Sequence, residues 1–193
     1  MRPDRLEAFS DGVFAIAITL LALELPRPEA EDLWHELGAQ WEAYAAFLVS
    51  FLTIGIIWVN HHALIDRIAH ADRALLFLNL LLLLFVSLIP WPTGLVAEHL
   101  GGDGAAAATA VYSGTFLGMA LAFSAIWLYA WRRDHLGALT PAQLAHLTRR
   151  NALGWIAYVT ALGLAFVAPA ASLALNFAIA LYYLLPDRAA RLA

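Results

Sequence analysis

The sequence predicts an all-α integral membrane protein with six transmembrane helices per chain, and three observations carry that prediction. Of its 193 residues, 62% are hydrophobic and 13% charged, with a mean hydropathy of +0.72; soluble domains run at about 45–50% apolar and about 25% charged. Apolar runs suited to a hydrocarbon core of about 30 Å recur six times along the chain. All 11 basic residues are arginines, and ten of them fall on one side of the six runs. The chain therefore reads as a single six-helix domain over residues 1–193.

The expected spans are 8–25, 42–64, 74–97, 106–131, 151–168 and 170–186. The first is read as retained rather than cleaved, because Glu7 and Asp11 precede its apolar run and Glu24-Leu25-Pro26 ends it without a small-residue cleavage site. In the fourth, Gly114 and Gly118 form a small-xxx-small pair suited to helix packing. The last two share one apolar stretch, Asn151 to Leu185, which as a single helix would be on the order of 50 Å long. Pro169 is the expected hairpin point within it. Trp34, Trp41, Trp91, Trp127, Trp131 and Trp155 lie near span ends, where interfacial anchors belong.

Charge sets the expected orientation. Arg2, Arg5, Arg67, Arg73, Arg132, Arg133, Arg149, Arg150, Arg188 and Arg191 gather on one side, and only Arg27 falls on the other. The positive-inside rule then places both termini in the cytoplasm of a cell (inner) membrane. The opposite side carries Glu24, Glu29, Glu31, Asp32, Glu36, Glu42, Glu98 and Asp103. Such an acidic mouth concentrates cations if a pore lies behind it, and otherwise keeps an outer surface hydrated.

The intramembrane polar groups share one depth. Arg5 and Asp11 lie in the first turns of helix 1, Asn60, His61 and His62 in the last turns of helix 2, and Asn79 near the start of helix 3. Isolated, each is costly; together they can satisfy one another, so a three-helix polar lock is expected. A proton relay through Asp11 and a histidine is the alternative. Adjacent His61 and His62 point about 100° apart and so do not share a metal. The chain has no cysteine, which excludes disulfides and thiolate metal sites. No nucleophile set or phosphate loop marks an enzyme, and neither a cofactor, a nucleic acid nor a small-molecule substrate is expected.

Along helix 1, Ile16, Thr19, Leu20 and Leu23 recur at spacings of three, four and seven, which places them on one face. Read alone, that stripe is ordinary helix packing, with Thr19 bonding back to the carbonyl of Ala15. Ringed around an axis, it would stack apolar collars of the kind that gate by dewetting.

Arg5-x-x-x-Phe9-Ser10-Asp11 followed by Gly12-Val13-Phe14-Ala15-Ile16, with Trp58-Val59-Asn60-His61-His62 and then Asn79 and Pro90-Trp91-Pro92-Thr93, resembles the transmembrane protein 175 family of potassium channels over roughly residues 2–97. The resemblance implies that helix 1 lines a central pore passing K+, with Ile16 at the narrowest collar, Thr19 in a layer tied to selectivity, Leu20 and Leu23 in the next collars outward and Glu24 at the outer vestibule. It also implies a structural cluster of Arg5, Phe9, Ser10 and Asp11 against Asn60, His61, His62 and Asn79. With one six-helix repeat and no internal duplication, the chain resembles the prokaryotic form, a homotetramer in the lipid bilayer. Neither a charged voltage-sensor pattern nor a Thr-Val-Gly-Tyr-Gly filter is present, so selectivity would rest on side chains. A proton-coupled transporter or proton pathway through Asp11 and His61 or His62 is the competing function.

Overall fold

The computed structural model describes residues 3–28, 32–136 and 140–184, and these are helical apart from short connections and one isolated β-bridge. Arg2, Glu29, Glu31, Arg188, Arg191 and the end of the sixth expected span lie outside the described residues. The helices are α1 (Asp4–Leu20), α2 (Leu33–Ala39), α3 (Trp41–Ile65), α4 (Arg73–Leu88), α5 (Pro90–His99), α6 (Ala105–Arg132), α7 (Pro141–Ala165) and α8 (Pro169–Leu184). Among the described residues, four helical stretches are long and apolar enough to cross a membrane: Asp4–Glu24, Trp41–Ile65, Arg73–His99 and Ala105–Arg132.

Helix α1 starts four residues before its expected span and tightens into a 3₁₀ turn, Leu21–Glu24, before Leu25 becomes extended ahead of Pro26. The third span is broken where the sequence reading drew it continuous. Pro90 has no N–H to give the Val86 carbonyl, and the Ile89 N–H takes its place at 3.2 Å. That break separates α4 from α5. The acidic first loop folds into the short α2, capped by the Asp32 carboxylate accepting from the His35 N–H at 3.2 Å. Helix α7 begins at Pro141 rather than 151 because Thr140 and Gln143 form a capping box. Helices α7 and α8 form an antiparallel pair: the Tyr183 hydroxyl donates to the Arg150 carbonyl at 2.6 Å, and Ser172 to that of Ala161 at 2.7 Å. Pro169 opens α8.

Helix α6 packs against α4, α5, α7 and α8, and α1 packs against α3 and α4. Leu75, Leu82, Val86, Tyr112, Phe116, Met119 and Ile126 are buried between them. Buried hydroxyls and amides stitch this core where the sequence reading assigned nothing. Ser50 lies 2.7 Å from Thr93 and 3.0 Å from Tyr112, and Asn176 donates to Ser113 at 3.0 Å. Trp127, expected at the interface, is buried instead, whereas Trp34, Trp41, Trp91, Trp131 and Trp155 are exposed.

Chain contacts bring the N-terminal end of α1 beside the C-terminal end of α3, and the α3–α4 loop beside the α6–α7 loop through the Ile68–Leu136 bridge. Arg150, within the N-terminal half of α7, meets the α8 end at Tyr183. The arginines at these termini therefore share one end of the bundle.

Candidate functional site

Helix α1 has two faces of different fate. Leu6, Ser10, Phe14, Ala17 and Leu21, spaced three or four apart, are buried. The opposite face carries Ile16, Leu20 and Leu23, which are 62%, 41% and 66% exposed, and Thr19, also exposed. Arg5 and Phe9 fall on this exposed side as well. The Thr19 hydroxyl donates back to its own helix, 2.8 Å from the Ile16 carbonyl and 3.1 Å from that of Ala15. Its proton is thereby used, and its oxygen keeps lone pairs for an outside donor or cation.

The buried face is anchored by one hydrogen-bonded chain across three helices. His61 Nε2 lies 2.7 Å from Asn79 Oδ1, the Asn79 amide donates to Ser10 Oγ at 3.0 Å, and Ser10 donates to the Leu6 carbonyl at 2.8 Å. Because Asn79 Oδ1 only accepts, His61 carries its proton on Nε2 here. All three side chains are fully buried. The Phe14 ring packs on His61 with centroids 5.5 Å apart.

Asp11 and His62 sit outside that chain, at the rim. Asp11 accepts from the Trp58 indole N–H at 2.8 Å, and His62 lies with Nδ1 2.5 Å from Glu7 and Nε2 3.6 Å from Asp66. Trp58 and Glu7 are the partners that depth matching did not identify. Asn60 bonds its own helix at the Ile56 carbonyl. Among the described residues, Arg5 has no hydrogen-bond or ion-pair partner, and Phe9 is 55% exposed.

Glu7, His62 and Asp66 offer ligand atoms within 4.8 Å of one another, the only such group among the described residues. The two carboxylates lie against opposite nitrogens of one imidazole, so a single ion would have to displace one of these contacts. The cluster reads as an exposed ion-pair set, worth about 0–1 kcal/mol.

At the far end of α1, Glu24 rests on α5. A Cβ built at Gly94 would overlap the Glu24 carboxylate, so the absence of a side chain there admits it.

The family model described as endosomal/lysosomal potassium channel TMEM175 matches residues 5–90. A potassium channel of Streptomyces collinus is 53% identical over 185 residues, covering 93% of this chain and 90% of that protein. The chain belongs to the TMEM175 family. A crystal structure of a lysosomal potassium-selective channel TMEM175 homologue from Chamaesiphon minutus superposes with a TM-score of 0.86 at 38% identity, over 94% of this chain and 96% of the other. The endosomal/lysosomal proton channel TMEM175 of Gallus gallus is 38% identical over 106 residues, 49% of this chain and 21% of that protein. The TMEM175 match spans the α1 stripe, the buried Ser10–Asn79–His61 chain and the α3 motif, and ends at Pro90, short of Trp91-Pro92-Thr93. These relatives are channels, and the chain is not an enzyme. It spans the membrane through its apolar helices.

Proposed function

We propose that this chain is a potassium-preferring cation channel of the cell membrane, built from four copies around an axis lined by α1. The observation that carries the reading is the exposed apolar face of α1 beside its fully buried back. A helix that leaves Ile16 and Leu23 more than half exposed needs either lipid or further copies of itself to cover them. Naming of the Streptomyces relative as a potassium channel supports the second. In a closed ring of one such helix per chain, cyclic symmetry stacks Ile16 at one level and Leu20 and Leu23 above it.

In this arrangement Ile16 is the dewetting collar, Thr19 supplies a ring of oxygens to a partly dehydrated cation, and Glu24 faces the outer mouth. Six crossings are made by α1, α3, the broken α4–α5, α6, α7 and α8, with both termini in the cytoplasm on the arginine-rich side. The whole of residues 1–193 then forms one channel domain. Ser10, His61 and Asn79 act as the lock that fixes the rotation of α1, with Asp11 pinned to Trp58 at its rim.

The name of the Gallus relative favours proton permeation as a second reading. The buried chain does not offer the route, since it ends on the Leu6 carbonyl and passes through an amide; protons would follow the α1 face. The test is flux of K+, Na+ and protons through purified protein in vesicles. Replacing Ile16→Asn wets the collar and is expected to raise K+ conductance several-fold. Unchanged currents would show that this face is packing.

A further inference from the structure

Helices α3, α6, α7 and α8 leave a half-open cleft of about 200 Å³ among them. Its lining is mostly apolar, with Ile56, Phe123, Trp127 and Tyr158, and includes Arg67 and Arg150, the latter's guanidinium 3.5 Å from the Tyr183 carbonyl. Among the described residues, no aspartate or glutamate lines it. The cleft is held open by Tyr183, whose hydroxyl reaches the Arg150 carbonyl and occupies the space a Cβ at Gly154 would fill. The same tyrosine supports the guanidinium of Arg150, which lies 5.2 Å over its ring. Asn151, which also lines the cleft, accepts from Ser124 at 3.0 Å through Oδ1.

From this geometry we infer that the cleft binds an anionic phospholipid, its phosphate between Arg67 and Arg150 and the upper part of one acyl chain against Trp127 and Phe123. Three features converge on that occupant. The cleft lies in a chain that spans the membrane, so a lipid is the solvent at its mouth. Its two charged residues are both cationic and both stand at the arginine-rich end, where basic pockets between helices capture anionic headgroups. A wall of aromatic and aliphatic side chains suits methylenes and would leave most of the cleft without a use for a small soluble anion.

Trp127 reports occupancy. Full-length protein is reconstituted in phosphatidylcholine vesicles carrying a minor fraction of either brominated phosphatidylglycerol or brominated phosphatidylcholine, and the quenching lost in Trp127→Phe is taken as the cleft signal. That signal should be stronger for the anionic lipid at equal bromine content. Arg67→Gln should weaken its apparent affinity about fivefold, the equivalent of roughly 1 kcal/mol for one arginine at the membrane surface, while Arg150→Lys retains most of it. Equal quenching by the two lipids, or no Trp127-dependent quenching, overturns the proposal. The readout requires no current, so it stands or falls apart from the pore assignment.

Discussion

Removing the Ser10 hydroxyl leaves the fully buried Asn79 amide without its acceptor, and removing Asn79 leaves His61 Nε2 without one. An orphaned buried donor costs about 1–3 kcal/mol, more than the roughly 0.6 kcal/mol average for an interhelical hydrogen bond within membranes. Ser10→Ala and Asn79→Leu are therefore expected to lower thermal stability by about 1–3 kcal/mol in detergent, followed by tryptophan fluorescence. Asn60→Leu, which removes only a bond to its own helix, should cost less. Depth matching brought His61 and Asn79 to one level because helical rise converts position into height, whereas the helix-1 member of the chain, Ser10, was singled out by the signature motif and not by depth. It did not assign Trp58 to Asp11 or Glu7 to His62, since those pairings depend on the rotation and approach of two helices. Arg5 and Phe9 share their depth with Ser10 but lie on the other face of α1, a distinction their spacing of four from one another does carry.

At the scale of elements, the two glycines of α6 are not equivalent. A Cβ at Gly118 would overlap the Phe85 ring of α4, whereas one at Gly114 meets nothing within 4 Å. Gly118→Ala is expected to destabilise by about 1 kcal/mol through overpacking, and Gly114→Ala to be neutral within the chain. The cost at 118 should shrink in a Phe85→Leu background, because Cε1 and Cζ, the two nearest overlapping atoms, are then gone; thermal melts of the double-mutant set check this. A small-xxx-small pair was visible in the sequence, but which member meets a neighbour depends on where α4 crosses. The loops at the arginine-rich end are joined by Asp72, which caps α4 at the Leu75 N–H (2.9 Å), accepts from the Tyr129 hydroxyl (2.6 Å) and lies 3.3 Å from His135. The Tyr129 hydroxyl above all, then the Leu75 amide and His135, hold its carboxyl down from 3.8 to about 2. Its contribution is complete above pH 3.8 and is lost as pH falls through about 2, because the unfolded chain takes up the proton first. Melting temperature should therefore drop over that window, and Tyr129→Phe should flatten the drop. None of this was legible beforehand: Asp72 and Tyr129 lie 57 positions apart and meet only through packing. The capping box of α7 was legible in Thr140-Pro141-Ala142-Gln143, yet an apolar window alone does not register a polar helix start.

At the scale of the assembly, α1 either faces an axis shared by several copies or faces lipid, and the lack of cysteine gives a clean way to separate these. Composition and hydropathy were enough to read a membrane bundle, because the bilayer permits so few backbone arrangements; the number of copies is written in no single chain, since it depends on what covers Ile16, Leu20 and Leu23. Ile16→Cys places one thiol per copy at the proposed collar. If copies close around α1, several thiolates meet at one level and bind Cd2+ as a soft multidentate site, so micromolar Cd2+ should block the current and a thiol chelator should restore it. Leu23→Cys should behave likewise from the outer side. Ala17→Cys lies on the buried back of α1 and should be insensitive. Native mass spectrometry should give a species of four times the 21.0 kDa chain. Sensitivity at 17 with none at 16 would turn α1 around, so that its other face lined the pore, and insensitivity at 16, 17 and 23 alike would place the pore on another helix; block at 16 from a single bound chain would remove the need for a ring. The paired outcome, block at 16 and 23 with none at 17, is what a pore lined by this face of α1 requires, since rotation of one helix by half a turn exchanges every one of these responses.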